Sequence, residues 1–127
     1  MNEVSKVKLV AAWIAAQEAG EIDSWAITAM GDIPQLEPEL GWELIVRIHA
    51  VPISEEVRDM LAASPLEDLL VYHGEQFFPR IKELALRDPV FRNMLSSIWL
   101  DEKDSPIARE FYELAGVAAP ASAGKKT

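Results

Sequence analysis

The chain has 127 residues, half of them hydrophobic, no cysteine and a formal net charge of −9. That length suits one domain with a core built without staples, and the missing cysteine excludes disulfides, thiol nucleophiles and cysteine-ligated zinc, as in a protein of the reducing cytoplasm. The charge is one-sided: residues 18–75 hold thirteen acidic residues against two basic ones, Arg47 and Arg58, while the flanking segments each carry +1, a distribution that steers cationic partners and repels nucleic acid and anionic membranes.

In chain order the punctuation is helical. Residues 3–19 read as a first helix on the spacing of Val7, Val10, Ala11 and Ile14, with Gly20 as its left-handed stop. Its apolar run, Leu9 to Ala16, is far short of the ~20 residues that span a bilayer and has no signal-peptide cleavage pattern. Trp13 reads as core. Asp23 or Ser24 caps a second, short helix ending near Gly31, and Pro34 and Pro38 bracket an irregular connection. A third helix, 38–51, is apolar nearly all round, with Glu39, Glu43 and Arg47 as its wet stripe, and should sit in the middle of the domain.

Ser54 caps a fourth helix that carries Glu55 and Glu56 in its first turn and turns Val57, Met60 and Leu61 inward. Ser64-Pro65-Leu66-Glu67 has the form of a serine cap, an N1 proline and a capping-box glutamate, predicting a fifth helix that ends at Gly74. A sixth helix covers about 77–87, with Pro79 near its start. Asp88-Pro89 opens a seventh, with Phe91, Met94, Leu95 and Ile98 inward, and Ser105-Pro106 opens a last helix stopped by Gly116. Residues 117–127 read as a flexible tail after a single domain, 1–116. No sustained two-residue alternation appears. The expected fold is all-α: about seven or eight short antiparallel helices in a compact array, with helical-hairpin or HEAT-like packing.

The segments Pro65-Leu66-Glu67-Asp68-Leu69-Leu70, His73-Gly74-Glu75 and Asp88-Pro89-Val90-Phe91-Arg92, closing on Trp99, form a pattern. With Ala12-Trp13-Ile14 and Trp42-Glu43-Leu44-Ile45, it resembles an uncharacterised family of small bacterial all-helical proteins. The resemblance covers about residues 9–100. Pro79 departs from it, where a helix-compatible residue is usual. The resemblance implies a bacterial, all-helical protein and no particular chemistry.

Candidate sites divide into two kinds. His73 and Glu75, with His49 as the only other histidine, are the pocket residues a small enzyme or ligand-binding domain would use. A metal would need three or four ligands in reach, so neither a metal nor a cofactor is expected. His73 lies on an apolar stripe and reads as a core histidine bonded to a carbonyl or carboxylate. Glu67 and Asp68 are adjacent but point about 100° apart on a helix, so they do not converge for acid–base work. No phosphate loop, nucleophile elbow or zinc-protease motif is present, and no catalytic residue is assigned.

The second kind is an acidic face: Glu37, Glu39, Glu55, Glu56, Asp59, Glu67, Asp68 and Glu75, with Trp25 as an exposed contact anchor among tryptophans otherwise read as core. The sequence thus favours a non-catalytic module that binds a basic protein. Its most concrete form is an immunity or antitoxin-like protein covering a cationic toxin such as a nuclease. It would bind neither nucleic acid nor membrane directly. The alternatives are the small enzyme or ligand-binding domain near His73, a nucleic-acid-mimicking inhibitor using the same carboxylates, and an assembly subunit.

Overall fold

The computed structural model describes residues 1–101 and 105–116. The expected tail, 117–127, lies outside them. Among the described residues there is no strand, and the helices are α1 (Glu3–Ala19), α2 (Trp25–Leu36), α3 (Pro38–His49), α4 (Glu55–Leu61), α5 (Glu67–Arg87), α6 (Pro89–Met94) and α7 (Ala108–Ala115). A π-helical turn, Ala62–Leu66, joins α4 to α5 without a break, and a 3₁₀ turn, Leu95–Ser97, extends α6. Counted as continuous bodies the described helices number six, fewer than the seven or eight expected.

Helix ends follow local chemistry. Asn2 Oδ1 accepts from the Ser5 N–H, Ser24 Oγ from Ala26 and Ser54 Oγ from Val57. Asp88 Oδ1 accepts from both Val90 and Phe91. These bonds satisfy amides that the first turn leaves orphaned. Gly20 and Gly116 close α1 and α7 at φ 70° and 77°, the left-handed region that costs glycine nothing.

Several expectations fail. α2 does not stop at Gly31; it runs to Leu36 with Pro34 buried inside it. Ser64 caps nothing: the chain passes through it in a helix, and the proline is absorbed by widening one turn. Pro65 has no N–H to offer the carbonyl four residues back, and its ring would collide with it. The turn becomes π, with the Glu67 N–H reaching back to the Ala62 carbonyl. Glu67 therefore closes no capping box. α5 does not end at Gly74 but bends at His73, whose φ/ψ of −137°/32° is not helical, and Pro79 lies inside the second limb. α7 begins at Ala108, after a turn closed by the Ala108 N–H on the Ser105 carbonyl.

The core is continuous. Trp13, Leu44, Ile45, Ile48, Leu69, Phe77, Phe91 and Phe111 are buried within it. α3 touches α1, α2, α4, α5 and the π turn, the central place its nearly all-round apolar surface requires. It approaches α2 closely at Gly41: a Cβ there would stand 2.8 Å from the Pro34 Cα. Tyr112 pins the chain after the 3₁₀ turn. Its buried hydroxyl accepts from the Leu100 N–H and donates to the Leu100 carbonyl.

Three helix phases differ from those expected. On α1 the buried residues are Leu9, Val10, Trp13 and Ala16, whereas Val7 and Ala11 are exposed. Met60 is exposed because α4 is short and buries only Val57 and Leu61. Trp99 is 49 % exposed rather than core, since the chain has left the helix before reaching it.

Candidate functional site

The eight carboxylates of the expected acidic face do not share one surface. Glu39 forms a bidentate pair with Arg80 of α5, at 2.7 and 2.8 Å. That hydrogen bond holds the Glu39 carboxyl below its usual range. Its neighbour on the wet stripe, Glu43, accepts from Lys6 and Arg47, and Arg47 also holds Glu3. Both carboxyls are likewise depressed, Glu43 chiefly by Lys6 and Glu3 by Arg47. Glu37 stands exposed between α2 and α3, and Glu75 lines a separate cleft.

Asp59 and Glu67 come together, with Asp68 next to Glu67 in the chain. Asp59 Oδ1 accepts from the Ser97 hydroxyl at 3.1 Å, and Glu67 Oε1 accepts from the Trp99 N–H at 2.9 Å. Both carboxylates therefore border the 97–99 strip, in which Trp99 is half exposed. Glu55 and Glu56 are exposed in the first turn of the same α4. No cation among the described residues pairs with any of these five. Burial pushes the Glu67 and Asp68 carboxyls up, and Asp68 adds a repulsive push on Glu67. The π turn sets this geometry by carrying Glu67 and Asp68 onto a half-buried surface beside α4, where a separately capped helix would have begun at a new angle.

The two histidines serve different places. His73 Nε2 donates to the Gln35 carbonyl at 2.6 Å, tying the α5 bend to α2. His73, Gly74 and Glu75 line an open cleft of about 340 Å³ together with Leu70 and Ile107. His49 lies elsewhere, between Arg58 and Asp88. Arg58 can only donate, so its contact with Nδ1 at 2.6 Å leaves the ring proton on Nε2, which donates to Asp88 Oδ2 at 2.9 Å. That bond to His49 holds the Asp88 carboxyl low. With both nitrogens engaged, His49 has no free position for proton transfer in this arrangement. Among the described residues no group of three or more histidines and carboxylates is placed to hold a metal.

Trp25 is 60 % exposed at the start of α2, away from the α4–α5 carboxylates in the sequence and not bonded to them. The residues that sequence reasoning missed are Trp99 and the pairing partners Arg58 and Asp88. Trp99 carried a weak signal, lying one residue past the last position of the apolar template that ends at Ile98. Arg58 and Asp88 carried none, because they meet His49 only in the folded chain. No helix among the described residues is long and apolar enough to cross a membrane.

A family of unknown function (DUF6869) matches residues 14–111, and the chain belongs to it. Neither the curated proteins nor the solved structures offer a match.

Proposed function

We propose, for a member of a family with no assigned activity, a non-catalytic module that binds a basic protein through the face formed by Glu55, Glu56, Asp59, Glu67 and Asp68 around Trp99. The observation that carries this reading is the state of Glu67 and Asp68: half-buried carboxyls, raised by desolvation and without a cation. A solubilising carboxylate gains nothing from partial burial, because desolvation disfavours its charged form. A carboxylate awaiting an incoming lysine or arginine does gain, since the partner's charge offsets that cost. Trp99, half exposed and bonded through its amide to Glu67, would supply the large aromatic contact at which binding energy concentrates. Trp99 therefore replaces Trp25 as our anchor.

In its most concrete form the partner is a cationic toxin and the protein an immunity or antitoxin-like cover for it in the bacterial cytoplasm. The same carboxylates would serve a mimic of nucleic-acid phosphates. Its test begins by copurifying the partner from the native host. Stopped-flow association is then measured at low and high salt for the parent, for Glu55→Lys with Glu56→Lys and Asp59→Lys, and for Glu39→Lys in the paired region. The triple variant should associate at least about tenfold more slowly at low salt, with the gap closing at high salt. Glu39→Lys should change the rate much less. Circular dichroism controls for the fold, since lysine opposes the dipole in the first turn of α4. If the triple variant binds as fast as the parent and salt moves neither rate, the reading is wrong.

A second reading has the cleft at His73 as its support. His73 Nδ1 has no partner among the described residues, and Glu75 stands at the same opening. A small ligand there would be lost on His73→Ala, whereas the association rate of the basic partner would not change.

A further inference from the structure

The end of α3 carries a feature that the acidic face does not use. A cleft of about 480 Å³ opens there, walled by Val46, Val51, Pro52, Leu84 and Val90, with Arg58, His49 and Asp88 at its polar end. A second cleft of about 450 Å³, over Val7, Val10 and Ile14 of α1, shares Ala50 and Val51 with it. The two clefts adjoin at Ala50 and Val51, and each is within the size of ordinary small-molecule sites. The second explains why Val7 and Ala11 keep a helical apolar spacing and yet lie exposed.

Arg58 is the cation of the first cleft; Arg47 lines the second but is committed to Glu3 and Glu43. The Arg58 NH1 group donates to His49 Nδ1 and to the His49 carbonyl, at 2.6 and 3.2 Å. Those bonds fix the guanidinium and leave its Nε and second amino group without partners among the described residues. No carboxylate among them lies within ion-pair distance of it. Lys8, Arg87, Arg92 and Arg109 also lack a carboxylate within ion-pair distance among the described residues, so what distinguishes Arg58 is that His49 holds it at the edge of an apolar cleft. Asp88, the carboxylate nearest by connection, has both oxygens engaged, one by two backbone amides and the other by His49. A half-buried guanidinium with spare donors, fixed in place at the end of an apolar cleft, fits a carboxylate head, which it can grip with two parallel hydrogen bonds.

We infer that the adjoining clefts bind an alkyl carboxylate, its head on Arg58 and its chain lying over Ala50 and Val51 toward α1. Both nitrogens of His49 are engaged, so the site binds and does no chemistry. The same head and tail could belong to a free fatty acid or to the apolar C-terminus of a peptide, and the test separates these sources. The full chain, labelled with ¹⁵N, is titrated with octanoate, 1-octanol and octylammonium, and with acetyl-Leu-Val carrying either a free or an amidated terminus.

Octanoate should bind about tenfold or more tightly than octanol, the fold-change expected of a hydrogen bond to a charged group. Its shifts should centre on Ala50, Val51 and the Arg58 side chain, and octylammonium should bind more weakly than octanol. Tighter binding of the free-terminus peptide than of octanoate at the same residues assigns the peptide source; the reverse assigns the fatty acid. Arg58→Gln should remove the preference for octanoate while leaving octanol binding intact. Equal binding of octanoate and octanol, shifts centred elsewhere, or an unaltered preference in Arg58→Gln would each overturn the inference. Should that variant not fold, the comparison of the three octyl compounds on the parent chain decides.

Discussion

Two sets of carboxylates from the same acidic half of the chain behave in opposite ways. Glu39 and Glu43 on α3, together with Glu3, are each bonded to a cation and have their carboxyls depressed. Glu67 and Asp68, at the start of α5, have no cation and are pushed up by burial. The difference is made by partners that arrive from far along the chain: Lys6 is 37 residues from Glu43, and Arg80 is 41 from Glu39. An excess of acid in a sequence therefore says little about a surface until it is known which carboxylates the rest of the fold has already neutralised. Here two of the thirteen acidic residues in 18–75, Glu39 and Glu43, are bound to cations, and five of the other eleven, Glu55, Glu56, Asp59, Glu67 and Asp68, lie on α4 and the start of α5.

The paired set depends on where α3 lies, and α3 is seated on α2 through Gly41. A methyl group at that position would meet the Pro34 backbone at 2.8 Å, where no flexible side chain can yield. Gly41→Ala is therefore expected to destabilise by about 1–3 kcal/mol, even though alanine is the better helix former. Urea denaturation followed by circular dichroism measures it. A midpoint equal to or above the parent's would show that the α2–α3 contact is looser than described, and with it the geometry that pairs Glu39 and Glu43.

A smaller effect separates the two sets by salt. Arg47→Ala strips Glu3 of its partner and leaves Glu43 with Lys6 alone. These groups are largely solvated, so the expected result is a modest fall in the denaturation midpoint, less than that of Gly41→Ala and shrinking as salt is raised. A loss as large at high salt as at low would mean that Arg47 acts through packing of its stem over the α1–α3 cleft rather than through charge.

How much of this was legible follows from the range of each determinant. Ser24, Ser54 and Asp88 act on amides two or three residues away, and Gly20 and Gly116 on their own backbone, so those ends could be read locally. Ser64-Pro65 has the same local form and misled, because a chain packed on both sides of a proline can widen one turn rather than stop. Met60 and Val7 were assigned to the wrong face because a short helix, or one carrying two apolar stripes, does not fix its own phase. At the site, the acidic residues were legible as a set, but their division into paired and unpaired was not. The contacts of His49 with Arg58 and Asp88, across 9 and 39 residues, left no local pattern at all.

The smallest expected effect sharpens the comparison most, because it has opposite signs in the two sets. For Glu3, Glu39 and Glu43, the folded carboxyl lies below its ordinary value of 4.5. Their contribution is complete above that value and is lost as the pH falls through the lowered folded one. For Glu67 and Asp68 the folded carboxyls lie above their ordinary values of 4.5 and 3.8. Each costs stability at neutral pH, and the cost is relieved as the pH falls through the raised value. The parent should therefore gain slightly in stability on mild acidification and lose it below about pH 4.5 as the paired set gives way, with Asp88 following below 3.8. Glu67→Gln keeps an acceptor for the Trp99 amide and removes the charge. Combined with Asp68→Asn, it should raise stability at pH 7 by a few tenths of a kcal/mol, a figure already reduced for their partial exposure. It should also abolish the gain on mild acidification while leaving the loss at lower pH in place. Tryptophan fluorescence during urea titration between about pH 2.5 and 8 gives both limbs. A parent curve that only falls with acid, or a double variant that follows it at every pH, would show that these two carboxylates are not held at a cost to the fold. The binding face would then have to rest on charge steering and Trp99 alone.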